Sequence, residues 1–160
     1  MKSKIIFLVS ILIASSYFSF SNAFGDGLTQ ENLPPASVGD RQASLFIKIS
    51  PPILTKDTVG DTFLELRLFD ANTGKAIEHT SFFVTVDKDG KLLMRDLFHT
   101  HSGDLTIKIQ PTPVSINEVV VYGDREPFQG GWTSINDQIS VKAPILLEAG
   151  LYHFKIEIFG

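Results

Sequence analysis

Beyond residue 43 the chain is built of short runs in which apolar and polar residues alternate. Leu45, Ile47 and Ile49 fall on one side of such a run, with Phe46, Lys48 and Ser50 on the other. In Phe63–Phe69, Leu64, Leu66 and Leu68 alternate with Glu65 and Arg67. A period of two belongs to strands with one buried face. Phe82–Val86, Leu92–Phe98, Leu105–Ile109, Ile116–Tyr122, Ile139–Val141, Ile145–Leu147 and Tyr152–Phe159 read as further strands. Between them stand turn signals: Asp70-Ala71-Asn72-Thr73-Gly74-Lys75, Asp89-Gly90, Ser102-Gly103-Asp104, Gly123-Asp124 and Glu148-Ala149-Gly150. Asp-Gly marks a tight hairpin, and Pro111 and Pro113 stop the strand before them. No stretch sustains a helical period. About seven to nine short strands with turns every 8–12 residues predict an all-β sandwich with antiparallel sheets.

The first 42 residues follow a different pattern. Lys2 and Lys4 precede an apolar run from Ile5 to Phe20, and Ser21 and Ala23 supply small residues after it. That order describes an export signal, residues 1–23, cleaved after Ala23. The run is shorter than the roughly 20 residues that span a bilayer comfortably, so a retained membrane anchor is the less favoured alternative. Residues 24–42, rich in Gly, Pro, Asn, Asp and Ser, read as an extended or flexible lead-in. Residues 43–160 form the sandwich domain. The expected location is secreted, periplasmic or at the cell surface.

Composition narrows the partners and the chemistry. The net charge of −4 becomes more negative once Lys2 and Lys4 leave with the signal, so no nucleic acid partner is expected and no anionic membrane surface. The membrane enters only through an uncleaved signal. The chain has no cysteine, which removes disulfide frameworks, thiolate-bound zinc and thiol nucleophiles together. It has no Asn-x-Ser/Thr acceptor site.

The order of strand, Asp-x-x-Thr-Gly-Lys (Asp70–Lys75), strand, Lys-Asp-Gly-Lys (Lys88–Lys91), strand and Gly103-Asp104 resembles secreted immunoglobulin-like β-sandwich modules. Glu148-Ala149-Gly150-Leu151-Tyr152 is similar to the entry into the last strand of many such modules. The likeness covers roughly residues 43–160 and lacks the Cys…Trp…Cys core of antibody domains. It implies a scaffold for adhesion, assembly or ligand display, and a fold does not fix a function.

His99-Thr100-His101 is the sharpest chemical feature. On an extended strand, residues two apart share a face, so both imidazoles can meet one cation. Neutral imidazole suits copper and zinc alike. His79 beside a turn and His153 at the start of the last strand are further candidate ligands, with Met94 and Asp104 as conceivable extras. The blander alternative makes the histidines exposed polar residues on a hairpin, and Met94 core filler. Asp87-Lys88-Asp89-Gly90 lacks the third acidic position and distal Glu of a calcium loop and reads as a turn. Trp132, Phe128, Tyr122 and Tyr152 offer an aromatic ligand surface only if they line one cleft; a lone Trp more often belongs partly to the core. There is no Gly-x-Ser-x-Gly elbow, no His-Glu-x-x-His and no phosphate-cradling loop, so no catalytic residue is assigned.

These features lead first to an exported, non-enzymatic binding or assembly module whose partner is another envelope or surface protein. An unpaired strand edge at Leu151–Phe159 is a feature that such a role uses. The alternative is an extracytoplasmic copper- or zinc-binding protein using the His-x-His pair, which requires His79 or His153 to reach the same point.

Overall fold

A computed structural model of the protein describes residues 5–11, 30–134 and 138–159. The strands in chain order are β1 (Ile5–Ile11), β2 (Gln30–Asn32), β3 (Ala36–Val38), β4 (Arg41–Ser50), β5 (Thr62–Asp70), β6 (Thr80–Lys88), β7 (Lys91–Thr100), β8 (Asp104–Pro111), β9 (Val120–Tyr122), β10 (Asp124–Arg125), β11 (Trp132–Thr133), β12 (Ile139–Ala143) and β13 (Tyr152–Phe159). One sheet has the order β1-β13-β6-β7-β11-β10, the other β2-β4-β5-β8-β12-β9 with β3 also on β4. Among the described residues there is no α-helix, and only two one-turn 3₁₀ segments interrupt the strands. The protein is all-β.

The alternation seen in the sequence is the alternation of burial. Leu45, Ile47 and Ile49 of β4 and Leu64, Leu66 and Leu68 of β5 face inward from one sheet. Phe82, Val84 and Val86 of β6 and Tyr152, Phe154, Ile156 and Ile158 of β13 face inward from the other. All belong to one buried cluster, so the two sheets form the halves of a sandwich. Each such side chain contributes on the order of 1.5–3 kcal/mol by leaving water.

Turn chemistry fixes the register. Asp89 (φ 52°) and Gly90 (φ 75°) are the two loop residues of the β6–β7 hairpin, the left-handed pair that a tight hairpin requires. At the β5 end, the Asp70 carboxylate accepts hydrogen bonds from the backbone of Asn72 and Thr73 and from the Thr73 hydroxyl. Those bonds, the Thr73 backbone first, hold its pKa below the usual carboxylate range.

Three expectations need correction. The sheets are not wholly antiparallel: β12 runs parallel to β8, and β11 to β7. The long connection from Pro111 to Ile139 returns β12 in the same direction as β8, which no short hairpin can do. Ile116–Glu118 is a 3₁₀ turn, not strand. The Glu118 carboxylate accepts hydrogen bonds from the Ser115 backbone and hydroxyl, and that capping overrides the apolar composition. Ile145 and Leu146 are buried, yet they lie in a loop, where Leu146 takes φ 62°.

At the N-terminal side, Lys2, Lys4 and the Ala23 junction lie outside the described residues, as do Gly160 and residues 24–29 of the lead-in. Ile5–Ile11, the core of the expected signal, pairs antiparallel along the outer edge of β13, from Ile5 opposite Ile158 to Ile11 opposite Tyr152. The rest of the lead-in runs extended along β4 as β2 and β3.

Candidate metal centre

The chain changes sheets twice at the same end of the sandwich. It leaves β5 for β6 through residues 71–79, and returns from β7 to β8 through residues 101–103. Because β5 pairs with β8 and β6 with β7, the two crossovers lie side by side. The His79 backbone N–H donates to the His101 carbonyl at 3.2 Å. Gly103 makes the approach possible: it has φ +86°, and a Cβ there would stand 2.6 Å from the Ile77 carbonyl oxygen. Thr80 donates to the Ile77 carbonyl and Thr100 to the Asp104 carbonyl, so buried hydroxyls hold both crossovers. His79 itself takes φ 55°, a conformation that non-glycine residues adopt at a cost and that gathers at functional sites.

This packing brings three histidines together. Ring centroids are 4.8 Å apart for His99 and His101, 5.3 Å for His79 and His101, and 6.3 Å for His79 and His99. One ring nitrogen from each lies within 4.8 Å of the others. His99 is buried at 2 % exposure and forms the floor, whereas His79 and His101 are exposed. The rings of His99 and His101 therefore meet, but across the bend that follows β7 and not on one face of an extended strand, with His79 as third member.

His99 has built surroundings. It lies opposite Ser81 in the β6–β7 register, and its Nδ1 is 2.9 Å from the Ser81 hydroxyl oxygen. Ser81 in turn donates to the Gln129 side-chain carbonyl. A carbonyl oxygen only accepts, so the Ser81 proton is committed to Gln129 and Nδ1–H of His99 donates to Ser81. Burial pushes the pKa of His99 below the ordinary imidazole value, and the His101 and His79 charges push the same way; Glu126 and Gln129 partly oppose them. His99 is thus kept neutral with Nε2 bearing its lone pair, the form that binds metals.

Glu126 and Gln129 come from one loop, between β10 and β11. Glu126 N–H donates to the Gly131 carbonyl, Gly130 N–H to the Glu126 carbonyl, and the Arg125 guanidinium to the Gly130 carbonyl. Glu126 Oε2 lies 3.6 Å from His101 Nε2, with its side chain only 11 % exposed. Nothing in the sequence near His99 points to Ser81, Glu126 or Gln129; their role is created by register and loop packing.

The other sequence candidates stand apart. His153 lies on β13 opposite Asp87, with Nδ1 3.3 Å from the carboxylate, and does not join the cluster. Met94 is buried in the core. Asp104 pairs with Arg67 at 3.4 Å. Trp132 is partly buried, donates to Asp96 at 3.1 Å and is covered by the Arg125 guanidinium at 3.7 Å. Tyr122 and Phe128 are exposed and Tyr152 is buried. A surface groove of about 470 Å³ lies across β4, β5 and β8, lined by Phe46, Glu65, Arg67, Phe69 and neighbours. Neither the histidines nor these aromatics line it.

No protein-family model, no curated protein and no solved structure matches the chain.

Proposed function

We propose that the protein binds a copper or zinc ion outside the cytoplasm through His79, His99 and His101. The observation that carries this reading is the convergence within 4.8 Å of one ring nitrogen each from His79 at the end of one crossover, His99 on β7 and His101 on the crossover after it. A conformation at His79 that costs backbone energy, and a buried histidine held in its neutral form, fit a site better than a solvated surface. The extracytoplasmic placement rests on the signal-like pattern of residues 1–23. Metal titration of the protein beside His99→Ala/His101→Ala and His153→Ala tests it. One-to-one binding lost in the double variant and kept in His153→Ala supports the reading. Weak binding that is equal in all three proteins refutes it.

A second reading, an immunoglobulin-like assembly module of the envelope, draws on the β13 edge. Its outer neighbour is Ile5–Ile11, so removal of the signal bares the eight residues of β13 to strand addition by another envelope protein. A chain beginning at Phe24 that stays monomeric and captures no strand peptide, Ile5–Ile11 itself included, contradicts it.

A further inference from the structure

Resting on the metal reading above, we infer that the ion keeps a fourth, exchangeable coordination position on the solvent side of the cluster, and that this position takes a small anion. His99 spends Nδ1 on Ser81, so it offers Nε2. His79 and His101 face each other through Nδ1 at 3.3 Å. Nitrogen ligands held about 2.0–2.1 Å from a tetrahedral ion stand about 3.3 Å from one another, so this pair already has the spacing of two ligands on one ion.

Glu126 decides the rest. It is the carboxylate beside the cluster, yet it meets His101 at Nε2, the nitrogen on the far side of the ring from His79. At 3.6 Å it is beyond hydrogen-bond reach of that nitrogen, so it acts on the cluster through its charge and not as a ligand. Among the described residues no fourth His, Asp or Glu joins the group. Three protein ligands on an ion that prefers four leave one position for solvent or an incoming ligand.

That position opens on the exposed side, between His79 and His101, because His99 closes the buried side. Three neutral imidazoles leave both charges of a divalent ion uncompensated, and Glu126 offsets one of them only from outside. The vacancy therefore favours anions over neutral donors. Carboxylates, azide and hydroxide belong to the class that fits.

The test is cobalt(II) substitution of the full chain, with the visible d–d bands followed during azide titration at constant pH and ionic strength. The expected result is a saturable spectral shift in the wild type. Glu126→Gln is expected to retain that shift while binding cobalt several-fold more weakly, because it removes the carboxylate charge beside the ion. An azide-insensitive wild type that becomes sensitive in Glu126→Gln makes Glu126 the fourth ligand and overturns the inference. Insensitivity in both proteins shows a closed site and overturns it too. Failure to bind cobalt in a His79-, His99- and His101-dependent manner is a different outcome, because it removes the metal reading itself.

Discussion

The two ends of the β6–β7 hairpin solve the same structural problem in different ways. At one end, two residues with left-handed backbone, Asp89 and Gly90, reverse the chain, and the nearest histidine, His153, sits half-exposed beside Asp87. At the other end, Thr80, Ser81, His99 and Thr100 are all buried although polar, and the chain passes through positive φ at both His79 and Gly103. Buried polar groups destabilise unless each finds a partner, and here each does: no buried side-chain nitrogen or oxygen among the described residues is unpaired. The first end is what connecting two strands requires. The second carries more polar burial than a connection needs, and that excess coincides with the three imidazoles.

The largest effect that separates the two ends is expected from His99→Ala/His101→Ala. Losing two ligands is expected to weaken metal binding by more than the roughly 10- to 100-fold that follows loss of an outer partner, as read by competition against a chromophoric chelator. Gly103→Ala comes next. It places a methyl against the Ile77 carbonyl in a left-handed conformation, with an expected cost of about 1–3 kcal/mol. Urea unfolding measures that cost, and weaker metal binding by the same variant ties the crossover geometry to the site. Gly90→Ala at the plain end meets no atom within 4 Å, so it bears only the backbone penalty and leaves metal binding unchanged.

Ser81→Ala orphans the buried Nδ1–H of His99, for which about 1–3 kcal/mol of destabilisation is expected, with weaker metal binding besides. A pH effect is also expected, in the metal-free protein. The folded pKa of His99 lies below the ordinary value, so as pH falls below about 6.5 the unfolded chain takes up a proton before the folded one does. Stability is therefore retained above that pH and lost on acidification down through the folded pKa. Urea midpoints measured in chelator are expected to show this fall, and His99→Gln to flatten it. Smallest of all, His153→Ala is expected to change stability by no more than about 0.5 kcal/mol and metal affinity not at all.

The strands were legible because a half-buried sheet writes its period of two directly into the residues, as at Leu64, Leu66 and Leu68. Where local composition and local geometry diverge, legibility failed. Ile116–Glu118 has strand-like residues, but the Ser115–Glu118 capping bonds turn it into 3₁₀ structure. The parallel β8–β12 pair depends on a long return that no local pattern encodes. For the cluster, His99 and His101 were legible because they stand two residues apart in sequence. His79 stood out only as a histidine near a turn, since its place depends on two crossovers meeting. Ser81 and Gln129 are 48 residues apart in sequence, and nothing in either segment alone links it to His99. His153 was indistinguishable from the three clustered histidines until the β6–β13 register set it opposite Asp87.

X-ray absorption of the zinc-loaded protein tests the central claim most directly. Three imidazole nitrogens at about 2.0–2.1 Å are expected, with one further oxygen or anion donor that exchanges with added anion. A shell of oxygen donors with fewer than two imidazoles would contradict it.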